Sequence, residues 1–415
     1  MQPYRKEKGN NMIRRNFTGL KYKKRCADVQ MTDVQITDVR LVYLYIFVFC
    51  NMKLKDITDH IESIAPLSYQ ESYDNAGLIC GEPGMDVKAA LICLDSTEAV
   101  MDEAIERGCN LVIAHHPIVF SGLKKFNGKN YVERVIMKAI RNNIAIYAAH
   151  TNLDNVHNGV NAKIAEKLGL TNCRVLDPKK GLLKRLITFC PHEQAEGVRK
   201  ALFDAGAGHI GNYDECSFNS EGTGTFRAGA GANPFVGKIG ELSREKEIKI
   251  EVMYPAYAES RILKALFASH PYEEVAYDLI PLTNANQEVG SGMTGELEKE
   301  MTEEAFLGHL KKIMKAGTVR YTAFRGKMVK KVAICGGSGS FLLENAIRSG
   351  ADVFVTADFK YHQFFDAEDR IVIADIGHYE SEQYTSELFY EILSKKFSTF
   401  ALHLSKINTN PIKYL

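Results

Sequence analysis

The sequence predicts an α/β protein: two duplicated α/β lobes with a ferredoxin-like α+β domain inserted between them. Three observations carry that expectation. Apolar runs of strand length alternate with amphipathic helical stretches, the pattern of parallel strands joined by crossover helices. A strand, helix, strand phrase that ends at His116 returns near the other end of the chain, ending at Asp358. Between the two copies the rhythm changes to strand, helix, strand, strand, helix, strand, which is the ferredoxin-like order.

Length and charge bound the answer before any motif does. A chain of 415 residues has room for roughly two or three domains and ample apolar content for a core. Its 52 basic and 51 acidic side chains nearly cancel. No basic stripe runs through the body, so there is no electrostatic case for nucleic acid or an anionic membrane as partner. Nine cysteines lie scattered without a Cys-x-x-Cys pair, which reads as reduced thiols in a cytoplasmic protein. Residues 1–51 differ from the rest, with a basic opening and an apolar run from Leu41 to Cys50. That run is far short of the ~20 residues that span a bilayer and lacks a small-residue cleavage site. The segment is expected to be an upstream or disordered extension, with Met52 as the initiator.

From Met52 the pattern is regular. Leu54, Ile57, Ile61 and Ile64 recur at helical spacing with Asp56 and Asp59 near the start, predicting an amphipathic helix. Tyr73-Asp74-Asn75-Ala76-Gly77-Leu78 is a turn leading into a short strand. Ala89 to Leu94 reads as a buried strand, Glu98 to Arg107 as a helix ended by Gly108, and Leu111 to Ala114 as the next strand. A helix from Tyr131 to Asn142 and a strand from Ile144 to Ala149 continue the alternation. Residues 52–184 form the first lobe on this reading.

The inserted domain is expected at 185–291. Strands are predicted at Lys184 to Cys190, within the Gly-rich stretch Tyr213 to Gly231, at Glu247 to Met253 and at Glu274 to Leu282. Helices are predicted at Glu193 to Ala205 and Glu259 to Ser269, with Gly290-Ser291-Gly292 as a tether. The second lobe, 292–415, repeats the first. Lys331 to Cys335, Phe341 to Arg348 and Gly350 to Asp358 follow the earlier phrase at a constant offset, placing Cys335 on Cys93, Ile347 on Ile105 and Asp358 on His116. Ile371 to Ala374 then leads to His378, as Ile144 to Ala149 leads to His150. His150 with Asp154 and His378 with Glu382 are read as corresponding pairs, and this shared ending argues for an internal duplication.

The chemistry gathers at these strand ends. His115 and His116 close a strand before Pro117, and successive strand residues point to opposite faces, so each can bind its own metal ion. A spacing of four puts His378 and Glu382, or His150 and Asp154, on one helical face. Nitrogen and oxygen ligands without thiolate suit zinc, iron, manganese or cobalt. A carboxylate, Glu382 or Asp154, can bridge two ions ~3.5–4 Å apart, a pair that activates water for attack on phosphoryl, acyl or amidine centres. Asp358 and His362 are candidate catalytic residues, orienting ligands or relaying protons. Gly336-Gly337-Ser338-Gly339-Ser340 follows a strand, so its amides could hold a phosphate. Lys124-Lys125 could meet an anion near the His pair or stand exposed in a loop, and His270 reads as structural.

These residues carry a resemblance. Asp74-Asn75-x-Gly77-Leu78, His115-His116-Pro117, His150-Thr151-Asn152-Leu153-Asp154 and Gly377-His378-Tyr379-x-Ser381-Glu382 resemble the motif set of the Nif-three-like dinuclear metal family, also called GTP cyclohydrolase I type 2 homologues. The resemblance spans Met52 to Tyr414. The insert, with Ser269-His270-Pro271-Tyr272-Glu273-Glu274, looks like the CutA-like or PII-like domain of longer bacterial members. What the resemblance implies is a toroidal homohexamer with a dinuclear site facing an internal cavity. Two divalent metal ions per subunit, zinc or iron foremost, would be ligated by residues matching His115, His116, Asp154, His378 and Glu382, with His150 auxiliary. The implied activity is a cyclohydrolase-like hydrolysis of a nucleotide-like small molecule; the alternative is a metal-binding regulatory ring without turnover. Tyr73 stands where many members carry Trp, read as a packing change.

Overall fold

The spacing of Leu54, Ile57 and Ile61 yields the helix Leu54–Ile64, which buries all three in the computed structural model. It stops at Ala65, because the ring of Pro66 disfavours helix in the residue before it. The structure describes residues 52–415, and the expectations for residues 1–51 fall outside the described residues.

Two mixed sheets carry the α/β part. In the first, the strands Ala89–Asp95, Leu111–His116 and Ala145–Ala148 pair in parallel. Their crossover helices, Glu98–Glu106 and Tyr131–Arg141, are capped by Thr97 and Asn130, whose side chains accept from Val100 N and Glu133 N. Gly77–Cys80 lies antiparallel on one edge and Ala401–Leu404 parallel on the other. In the second sheet Met328–Ser338, Val353–Ala357 and Val372–Asp375 are parallel. Arg320–Tyr321 closes one edge, while Ala285–Thr302 and Leu170–Lys180 extend the other as antiparallel strands.

The pairing follows the offset of the sequence repeat. Ala90, Leu91 and Ile92 face Leu111, Val112 and Ile113, and at matching positions Val332, Ala333 and Ile334 face Val353, Phe354 and Val355. Alternate residues enter different cores. Ala90, Ile92, Val332 and Ile334 meet in one core common to both sheets, whereas Leu91 and Cys93, or Ala333 and Cys335, pack under the outer helices. Burial on both faces is why these strands read as unbroken apolar runs. At the third strand the match slips by one residue. Ala148 and Asp375 hold equivalent positions opposite Ala114 and Thr356, so the counterpart of His150 is Gly377, and His378 follows it. Gly377 takes up the difference at φ 92°, where a Cβ would stand 2.4 Å from the Glu380 carboxylate.

Residues 183–282 form a third sheet. Its strands lie in the order Tyr277–Leu282, Leu183–Pro191, Leu242–Pro255, Ser217–Arg227, all antiparallel. The helices Ala195–Asp204 and Glu259–Ser269 supply Val198 and Ile262 to a core of its own.

Three expectations change. Leu170–Lys180, expected in the first lobe, pairs into the second sheet, and Ala401–Leu404, expected in the second, pairs into the first. Gly290-Ser291-Gly292 is no tether, because Gly290 and Ser291 pair with Pro178 and Asp177. A Cβ on Gly290 would lie 2.1 Å from the Asp177 carbonyl oxygen, so glycine here permits close strand approach. Among the described residues no helix is long and apolar enough to cross a membrane, and the described cysteines are free. Gly290→Ala should therefore cost about 1–3 kcal/mol by overpacking. Gly197→Ala, in an open helical position, should gain about 0.5–1 kcal/mol; thermal melts of both variants measure the contrast.

Candidate metal centre

Four imidazoles converge because each is anchored through the same ring nitrogen. Nδ1 of His115 lies 2.9 Å from the Ala149 carbonyl, and Nδ1 of His116 lies 2.7 Å from Asp95 Oδ1. His150 is held likewise by Asp74 at 2.8 Å and His378 by Asp358 at 2.7 Å. A carbonyl can only accept, so Nδ1 of His115 carries a proton and Nε2 is the ring nitrogen turned toward the cluster. The strand Leu111–His116 runs through both histidines, two residues past the expected end. His115 is completely buried, and His116 reaches the cavity.

Glu382 stands at the focus. Its Oε2 is 3.0 Å from His116 Nε2 and 3.1 Å from His378 Nε2, while its Oε1 is 3.7 Å from His115 Nε2. His115 Nε2 is in turn 3.6 Å from Asp154 Oδ1. Ligand atoms within 4.8 Å of one another thus form His116, His378 and Glu382, then His115, Asp154 and Glu382, and a third group of His115, His116 and His150. Every ligand expected from the sequence, His150 included, lies in this cluster.

The glycine run beside it works differently from the expectation. The amides of Gly336 and Gly337 donate to Asn161 Oδ1 at 3.0 Å and Ser381 Oγ at 2.9 Å. Those two donors are spent, so they are no phosphate cradle. What the glycines provide is room: a Cβ on Gly337 would stand 2.4 Å from Glu382 Oε1.

The residues fit a divalent cation. His115 Nε2 and Asp154 Oδ1 are buried with no hydrogen-bond partner, and an unmet buried acceptor costs about 1–3 kcal/mol. Both are electron-pair donors that a cation satisfies. Five carboxylates, Asp74, Asp95, Asp154, Asp358 and Glu382, surround the four rings. Burial, then the nearby Glu382 charge, pushes the Asp154 carboxyl up to about 8. Burial opposes charge on His116, but Asp95 and Glu382 outweigh it and raise the ring to about 10. Against the same opposition, Asp358 and Glu382 raise His378 to about 11. Burial alone would raise Glu382; the imidazoles, His115 first, hold it well below the usual range. The ligand set attracts positive charge, and metal ions compete there with protons.

A cavity of about 670 Å³ opens over the cluster. Tyr73, Phe120, Tyr131, Phe341 and Tyr379 line it, with the C-terminal stretch Thr409 to Ile412. Tyr73 is 70% exposed, so it presents a ring at the cavity and does not serve packing. Thr409 donates to Asp95, and Asn410 Nδ2 donates to Glu380 at 2.9 Å. Lys124 and Lys125 are exposed and take no part in the lining. His362 is also exposed, on the short helix Tyr361–Ala367 against Tyr361 and Phe365, outside the cavity lining. Asp358, which holds His378, sits at φ 59°, a left-handed conformation that Asp tolerates better than most residues. Sequence reasoning missed Asp95 and Asn161, and gave Asp74 no role beyond its turn. Asp95 stands in register with His116, a signal that appears only once the strands are paired.

A family model described as Duf34/NIF3 (NGG1p interacting factor 3) matches residues 52–411. The chain belongs to this family. It is 41% identical over 359 residues to a "GTP cyclohydrolase 1 type 2 homolog" of Halalkalibacterium halodurans, covering 85% of this chain and 96% of the relative. A Bacillus subtilis protein of the same name is 40% identical over 367 residues, covering 87% and 98%. Among solved structures, a Bacillus cereus protein related to NIF3 matches with a TM-score of 0.78 at 40% identity, covering 88% of this chain and all of that one. Staphylococcus aureus protein SA1388 matches with 0.70 at 31% identity, covering 88% and 99%. In this Duf34/NIF3 chain, Asp95→Ala or Asp358→Ala should weaken divalent-metal binding ~10–100-fold through loss of ring anchoring. His362→Ala should leave it unchanged, as equilibrium dialysis with metal analysis would measure.

Proposed function

We propose that the chain is a dinuclear divalent-metal protein and a metal-dependent hydrolase of cyclohydrolase type, acting on a nucleotide or related phosphate-bearing heterocycle. The observation that carries the reading is the division of Glu382, with one oxygen toward His116 and His378 and the other toward His115 beside Asp154. On this reading His116 and His378 would hold one ion and His115 and Asp154 the other, with Glu382 common to both sets; zinc, iron, manganese or cobalt suits these donors. Such ions, when bound, supply Lewis acidity toward a phosphoryl, acyl or amidine centre.

The chain's own residues do the rest. Tyr73, Phe120 and Phe341 are exposed rings on the cavity wall, suited to stacking a planar heterocycle. Among the described residues that line the cavity none is Lys or Arg, which leaves the cations as counter-charge for a phosphate. Tyr379 and the Thr409–Asn410 stretch border the ligands and can orient the substrate. The names of the relatives favour the same reaction class. A duplicated pair of lobes, a CutA-like or PII-like insert at about 185–291, a toroidal homohexamer and a cytoplasmic location complete the proposal. The common register of the two sheets supports the duplication, and the ferredoxin-like strand order supports the insert. Asp358 is best taken as holding His378 in place.

One observation favours a second reading, a metal-holding regulatory ring without turnover: residues 183–282 have their own core and cavity. The test is to purify the protein with its metals, screen GTP and nucleotide esters, and compare Glu382→Ala. Turnover should fall ~100-fold or more in the variant. Equal turnover by both forms would overturn the hydrolase, and full metal content without turnover would select the regulatory ring.

A further inference from the structure

A second cavity, of about 680 Å³, shares no lining residue with the metal cavity. It is lined by the paired strands Ser217–Arg227 and Leu242–Pro255, the Gly-rich loop beyond Arg227 and the turn at Tyr272. Tyr272 stands between Phe226 and Phe235, with ring centroids 6.4 and 6.3 Å apart and planes inclined by 55° and 53°. Rings splayed in this way make the sides of a box; a flat base would need parallel faces.

The box is built and charged. The Tyr272 hydroxyl donates to Glu247 Oε1 at 2.8 Å. The other Glu247 oxygen occupies space that a Cβ on residue 224 would invade, at 2.1 Å, so Gly224 makes room for this carboxylate. His270 Nδ1 accepts from Tyr272 N at 3.1 Å, which leaves Nε2 to donate to the Phe189 carbonyl at 2.9 Å. Glu273 Oε1 accepts from Asn233 N at 2.8 Å and so pins the loop that carries Phe235. Glu221, Glu247, Glu273 and Glu274 line the cavity against Arg227 and Lys249, and Lys249 is paired with Glu251 at 2.6 Å.

We propose that this cavity binds a small organic cation of the alkylammonium class, its charge held over the faces of Phe226, Phe235 and Tyr272 with Glu247 as counter-ion. Aromatic faces attract a cation through the ring quadrupole, and alkylated ammonium ions lose little hydration on entering such a box. A volume within the roughly 300–1,000 Å³ of small-molecule sites argues for a free small molecule as the occupant. The site is independent of the metal reading and of any hydrolase activity.

The test uses the full chain with its metals. Choline, tetramethylammonium and the neutral choline isostere 3,3-dimethylbutan-1-ol are titrated by calorimetry. The expected result is binding of the two cations, with choline roughly tenfold or more tighter than the isostere. Phe235→Leu and Glu247→Gln should each weaken choline by roughly tenfold while melting temperature and metal content stay unchanged. Failure of both cations to bind at millimolar concentration, equal binding of choline and its isostere, or unchanged binding in both variants would overturn the proposal.

Discussion

A buried carboxylate must be surrounded by groups that satisfy it, and the structure depends on meeting that demand at Glu382. Only 3% of it is exposed, and its neighbours come from opposite ends of the chain. His115 and His116 are brought by one sheet, His378 and Glu382 by the end of the other. Each ring must itself be fixed, so Asp95, Asp358 and the Ala149 carbonyl are as necessary as the histidines they hold. Gly336 and Gly337 complete the arrangement by leaving space, while Asn161 and Ser381 occupy their amides.

Such a centre requires the two sheets to be held against each other within a fraction of an ångström. The strand exchange supplies that rigidity. Leu170–Lys180 and Ala401–Leu404 each leave the half of the chain in which they begin and pair in the other sheet, and a single core joins Ile92 and Ile113 to Ile334 and Val355. Beyond its last strand the C-terminal stretch reaches the same centre, where Thr409 touches Asp95. Separating the two sheets would break this main-chain pairing and expose that core, so the ligand geometry is held by both.

The ligands themselves were legible because they sit in short motifs at strand ends. His115-His116, His150 to Asp154 and His378 to Glu382 need only local periodicity to be found. The anchors were harder, since Asp95 acquires meaning only from its register with His116. Glycines misled for a related reason: a Gly-rich run looks the same whether it frees amides for a phosphate or clears space for a side chain, as Gly337 does for Glu382. Gly290 likewise reads as a hinge until its partner strand is known. His362 illustrates the limit of arguing from proximity in sequence. Four residues from Asp358, it turns to solvent on a short helix while Asp358 faces His378. The ferredoxin-like order of residues 183–282 was readable because each of its elements is amphipathic and its connections are local.

The central claim is that Glu382 joins two ions. Anomalous diffraction from crystals of the metal-loaded protein, recorded on both sides of the absorption edge, tests it most directly. The account predicts two anomalous peaks per subunit, one beside His116 and His378 and one beside His115 and Asp154, with a Glu382 oxygen on each. A single peak, or peaks that leave Glu382 without a metal contact, would contradict it.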